Sequence, residues 1–187
     1  ERAIRYFPTA GLIVGGIAAL VFGLSSFFWP KTLAVLAAMA VAIYLTGAIH
    51  EDGWTDTVDG FGGYRDKEQI LAIMKDSLVG SYGLVALVAL LLARFFALVE
   101  IDPWRVPVAL IAGHAVSRLC ATFVLAALDY ARVDGKAKPF SNRLSYGELA
   151  FATLTALLPL LWLPLQQSIA ALVLALVTTL WLARLFK

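Results

Sequence analysis

The sequence predicts an all-α, polytopic integral membrane helical bundle of about six transmembrane helices with an acidic loop on the cytoplasmic side. Three observations carry that prediction. Of 187 residues, 61% are hydrophobic and only 15% charged, against roughly 45–50% and about 25% in an ordinary soluble domain. The apolar residues gather into stretches close to the roughly 20 that a hydrocarbon core of about 30 Å demands of a helix. The cations between those stretches fall overwhelmingly on one side. A soluble globular domain and a disordered tail are excluded by this composition. A disulfide-stapled secreted module is excluded by a single cysteine, Cys120. The cations form no aromatic-interleaved stripe, so nucleic acid is not an expected partner.

Taken in chain order, the first expected span is Pro8–Trp29, where Gly11 and Gly15 form a small-xxx-small pair that lets a neighbouring helix approach closely. The second is Thr32–His50, expected to run on past the interface into the acidic segment. Within 51–80, Asp66-Lys67-Glu68-Gln69 reads as an N-cap with a Gln three residues on. Ile70, Leu71, Ile73 and Met74 follow at helical spacing, giving a short amphipathic helix on the bilayer surface. Ser81–Val99 and Val106–Tyr130 are the third and fourth spans, separated from the rest by the connection 131–148. Leu149–Leu165 carries Pro159 and Pro164, which remove backbone donors, and is expected to be a kinked or partial crossing. Gln167–Phe186 is the last span. No composition shift or repeat divides the chain, so residues 1–187 read as a single transmembrane domain.

Orientation follows from Lys and Arg, which are retained on the cytoplasmic side. Arg2, Arg5, Arg65, Lys67, Lys75, Arg132, Lys136, Lys138, Arg143, Arg184 and Lys187 fall on one side, Lys31 and Arg105 on the other. Both ends, the acidic segment 51–80 and the connection 131–148 are therefore expected to face the cytoplasm.

Seven of the 13 acids lie between Glu51 and Asp76. On a continuing helix Asp52, Asp56 and Asp59 fall at i, i+4 and i+7, one face. Carboxylates about 6 Å apart at an effective dielectric near 20 repel by roughly 3 kcal/mol per pair. A hard divalent cation relieves that repulsion, and all-oxygen ligation suits Mg²⁺ or Mn²⁺ with positions left open for substrate phosphates. The competing reading is a solvated acidic turn, which has no reason to segregate three aspartates from Trp54, Val58 and Phe61. His50 is suited to proton transfer or to a phosphate oxygen, and equally to a plain interfacial hydrogen bond. Glu51 points off the aspartate face. Asp76 is suited to completing the metal site, to taking a substrate proton, or to capping the third span. Arg118, inside the fourth span near His114 and Ser117, is costly in lipid; it suits a phosphate or an acidic partner across the bundle. Arg94 is expected to snorkel toward an interface.

The pattern His50-x-Asp52-Gly53-x-x-Asp56-x-x-Asp59-Gly60, followed by Ile73-Met74-Lys75-Asp76-Ser77-x-x-Gly80-x-x-Gly83, closely resembles the signature of the adenosylcobinamide-GDP ribazoletransferase (cobalamin synthase) family. The likeness extends to Arg5-Tyr6-Phe7-Pro8-x-x-Gly11, Ser117-Arg118 and Tyr130-Ala131-Arg132-x-x-Gly135. It implies a multi-pass enzyme of the bacterial or archaeal cytoplasmic (inner) membrane. That enzyme uses Mg²⁺ to join adenosylcobinamide-GDP to α-ribazole or its 5′-phosphate, giving adenosylcobalamin or its 5′-phosphate and GMP. On this reading Asp52, Asp56 and Asp59 are the metal ligands, and Asp76, His50 and Asp59 are the catalytic candidates. Lys75, Ser77, Arg118 and Arg132 are the substrate contacts. Family members carry a further N-terminal apolar segment and, after the last span, a Gly-Gly-x-Thr-Gly-Asp motif, both expected beyond the ends of this chain. A homo-oligomer is compatible with the sequence. Two rival readings are another aspartate- and Mg²⁺-dependent membrane phosphotransferase or prenyltransferase, and an ion-coupled transporter. Against the transporter, its acids belong near mid-membrane in repeated, interrupted helices, whereas these gather at one edge.

Overall fold

A computed structural model describes residues 3–63, 66–76, 78–127 and 144–185, and among them it is helical with no strand. A 3-10 turn at Ala3–Tyr6 leads into α1 (Phe7–Ser25). Then come α2 (Lys31–Thr46), α3 (Ile49–Phe61), α4 (Lys67–Ile73), α5 (Ser81–Glu100) and α6 (Val106–Ala127). The chain closes with α7 (Tyr146–Leu157), a 3-10 turn at Leu158–Trp162, and α8 (Leu165–Leu185).

Among the described residues four segments are long and apolar enough to cross a membrane: Ala3–Ser25, Ser81–Glu100, Val106–Ala127 and Leu165–Leu185. Counting the bent pair α2 and α3 as one span makes five, against about six expected. The chain is thus a multi-pass membrane protein. The two expected spans that differ do so for local reasons. Thr32–His50 does not run on, because the helix stops at Thr46 and α3 departs at 84°. Gly47 adopts φ 61° and closes a Schellman arrangement, its N–H donating to Tyr44 O at 3.1 Å while Ala48 N–H donates to Ile43 O at 3.0 Å. Ala48 shares the left-handed conformation at φ 56°, which an L-residue adopts at a cost of about 1–2 kcal/mol. Leu149–Leu165 is interrupted at the expected place: α7 ends at Leu157, Pro159 opens the 3-10 turn, and α8 starts after Pro164.

The chain packs as two compact units. The first comprises Glu1–Leu20 and Trp104–Lys187. Here α1 lies directly on α6, and a Cβ at Gly11 would stand 2.8 Å from Ala115 Cα, one at Gly15 2.6 Å from Ile111 Cα. Only hydrogen at these two positions permits that approach. Ala115 and Leu119 of α6 meet Ala152 and Ala156 of α7 in a small-residue core, with Leu12 against it. Ser145 and Glu148 form a capping box on α7. Glu148 Oε1 also receives Arg5 Nη1 at 3.3 Å, tying the opening 3-10 turn to α7.

The second unit is Val21–Pro103. Its α2 buries Ala34, Val35, Ala38, Met39 and Ala42, one helical stripe of small and branched side chains. Lys31 Nζ donates to the carbonyls of Val99 and Ile101, closing the C-terminal end of α5. Asp66 caps α4 as the spacing predicts, its Oδ1 accepting from Gln69 N at 2.8 Å.

Candidate active site

The acidic segment is α3, and its neighbours decide what each acid can do. A helix advances about 100° per residue. With Asp52 at zero, Thr55 and Gly62 stand at about −60° and −80° and Glu51 at about −100°, while Gly60 stands at about +80°. The first group faces α5: Gly83 has no room for a Cβ beside Thr55 O, and Gly62 none beside the Tyr82 ring. Gly60 faces α4, where a Cβ would meet Ile70 Cγ2 at 3.2 Å and Met74 Cγ at 3.3 Å. Between these two packed edges lie Asp52, Asp59 and Asp56, at about 0°, −20° and +40°. The three share a face, as the spacing predicts, but they do not share a fate.

Asp59 is captured by α5. It is 7% exposed, and its Oδ2 accepts from Gly80 N at 2.8 Å and its Oδ1 from Gly83 N at 2.9 Å. Gly80 is the N-cap of α5 and offers no side chain to the first-turn amides, so Asp59 meets them from α3. A carboxylate also complements the positive end of the helix dipole there. Gly80 and Gly83 are required for this contact, since a Cβ at either would collide with the Asp59 carboxylate.

Asp52 is exposed and Asp56 half-buried. Among the described residues no group of three His, Cys, Asp or Glu side chains is placed to hold a metal ion. Among the described residues the three aspartates are thus not brought together as one metal cage, and Asp59 accepts two backbone amides of α5. The pair that is left, Asp52 and Asp56, is one helical turn apart and purely oxygen-donating. That fits the mode in which Mg²⁺ takes one or two carboxylates and fills its remaining positions with water and substrate phosphate.

His50 is exposed at the start of α3. Lys75 and Asp76 are exposed just after α4, and Asp76 Oδ1 accepts from Leu78 N at 3.3 Å. Asp76 thus shapes the turn before α5, whose first amides belong to Asp59. Ser77 and Arg132 lie outside the described residues. Arg118, in the other unit, is 8% exposed; its Nη1 donates to His114 O at 3.1 Å and lies 3.2 Å from His114 Nδ1. Both of those groups belong to its own helix.

The pair that sequence reasoning missed is Glu51 and Arg94, with Arg94 Nη1 4.0 Å from Glu51 Oε1. The signal was available: Glu51, Thr55 and Asp59 recur every fourth residue, a second stripe beside the aspartate face.

A match to the family described as Cobalamin-5-phosphate synthase spans residues 1–187. The chain belongs to that family. Among its relatives is the adenosylcobinamide-GDP ribazoletransferase of Shewanella frigidimarina (strain NCIMB 400), 41% identical over 190 residues, covering 99% of this chain and 71% of that protein. The enzyme of the same name from Shewanella amazonensis (strain ATCC BAA-1098 / SB2B) is 45% identical over 161 residues, with 83% and 62% covered. That from Ralstonia pickettii (strain 12J) is 39% identical over 185 residues, with 97% and 72% covered. No solved structure matches the chain. The cobalamin-5-phosphate synthase family places it among the transferases of cobalamin synthesis.

Proposed function

We propose that this chain carries the metal-binding helix and membrane scaffold of a Mg²⁺-dependent ribazoletransferase. It would join adenosylcobinamide-GDP to α-ribazole or its 5′-phosphate at the cytoplasmic face of a prokaryotic inner membrane. The observation that carries the reading is likeness to proteins named for that reaction across nearly the whole chain. An acidic helix anchored at the N-terminus of a membrane span supplies it with a fitting site.

A hydroxyl of the ribazole attacks the corrinoid-linked phosphorus, a new P–O bond forms, and the bond to GMP breaks. The hydroxyl proton passes to a base of the protein, and GMP leaves with the electron pair of the broken bond. Asp52 and Asp56 would hold Mg²⁺, or Mn²⁺ in its place; when bound, the ion offsets charge on the diphosphate. Asp59 anchors the helix on which those two stand. His50, exposed in the first turn of α3, offers an imidazole nitrogen as proton acceptor. Asp76 is the second candidate for that proton. Lys75, exposed just after α4, offers its ammonium group to phosphate oxygens, and the family likeness alone adds Ser77, Arg118 and Arg132 as candidate substrate contacts.

In the full-length enzyme, Asp56→Asn is expected to abolish metal-dependent GMP release, measured by chromatography of the products. Metal-dependent turnover at the wild-type rate would remove Asp56 from the mechanism.

A further inference from the structure

Helix α3 meets α5 through a stripe that begins at Glu51 and ends at Asp59, and each end of the stripe carries a charge. At the far end Asp59 is fixed by two backbone amides. At the near end Glu51 faces Arg94, with side-chain exposures of 14% and 29%. Arg94 lies within the apolar helix α5, six residues before its last residue, Glu100, and a guanidinium on such a helix calls for a partner. Glu51 Oε2 is buried with no hydrogen-bond partner among the described residues, and so is Trp54 Nε1 one turn on. The acid is therefore held by charge rather than by a saturated hydrogen-bond network. A partly desolvated ion pair adds little net stability over an apolar contact.

We propose that Glu51 and Arg94 are positioning residues of the transfer reaction, fixing the roll of α3 on α5 and so the direction of Asp52 and Asp56. This rests on the proposed function. Asp59 fastens the C-terminal end of α3 to the first turn of α5. Eight residues away, about 12 Å along the axis, the Glu51–Arg94 pair adds a second charged contact between the same two helices. Asp52 is the next residue in the chain, so it would be displaced first when the pair is broken.

The test uses the full-length enzyme in detergent, with Mn²⁺ as the probe. Free Mn²⁺ is followed by its electron paramagnetic resonance signal and GMP release is followed in parallel. Glu51→Gln and Arg94→Gln are each expected to weaken Mn²⁺ binding by roughly 10–100-fold, as loss of a group that orients a metal ligand does. The double variant is expected to be no weaker than the worse single one. Excess Mn²⁺ restores kcat, and KM for the corrinoid stays near its wild-type value. Wild-type Mn²⁺ affinity in folded single variants, or losses that add in the double variant, would overturn the proposal. Should the neutral variants not fold, Glu51→Asp carries the test: it keeps the charge but shortens the reach, and unchanged Mn²⁺ affinity there is the refuting result. A wild-type enzyme that binds Mn²⁺ but releases no GMP would instead overturn the proposed function.

Discussion

At the scale of single residues, Asp59 shows how helical spacing and surroundings divide the work. Spacing alone places Asp52, Asp56 and Asp59 on one face, and the structure keeps them there. What spacing cannot convey is that the N-terminus of α5 arrives beside only one of them. Gly80 and Gly83 are legible as a motif, and they are glycines because a carboxylate occupies the space of their side chains. Gly83→Ala is accordingly expected to lower stability by about 1–3 kcal/mol, the usual cost of an atom forced into a packed site. Gly53, on the same acidic helix, has open space where its side chain would be. Gly53→Ala is expected to be neutral or to add up to about 1 kcal/mol, since alanine is the better helix former. Thermal unfolding of the two variants in detergent, without metal, checks both. Equal melting temperatures would mean that the Asp59 contact contributes nothing to the fold.

At the scale of elements, the signals with a local chemical basis were the ones that could be read. Asp66 with Gln69 three residues on announces a helix start, and α4 begins there. Pro159 and Pro164 announce an interruption, and α7 gives way to a 3-10 turn between them. The stop after α2 was equally available in Gly47, following an apolar run as a C′ glycine does. Leu45, Ala48 and Ile49 bridge the break with apolar side chains, so hydrophobic length alone does not reveal it. The direction in which α3 departs depends on partners distant in sequence, namely α4 and α5, which no local pattern encodes. Gly47→Ala places a Cβ on a left-handed residue and is expected to cost about 1–2 kcal/mol. The altered bend would show as reduced thermal stability together with weakened Mn²⁺ binding, whereas Gly16→Ala, at a helical position with open space, should leave Mn²⁺ binding unchanged and stability no lower.

At the scale of the whole molecule, the lopsided cations predict a topology. If the positive side is cytoplasmic, a cysteine introduced at exposed Lys67 in a Cys120→Ala background should react with a membrane-impermeant maleimide only after inside-out vesicles are prepared. One at exposed Trp104 should react in intact cells. The reverse pattern would invert the chain and put the acidic helix on the outer face.

Lys31 and Asp59 give α5 a property that neither gives alone. An ammonium group answers its last carbonyls and a carboxylate its first amides, each matched in sign to the dipole it meets. Both charged groups precede α5 in the chain, one on each of two helices that meet it. A slip of α5 by even one residue along its axis would misplace the groups at both ends together. The two end contacts together hold α5 in one register against α2 and α3.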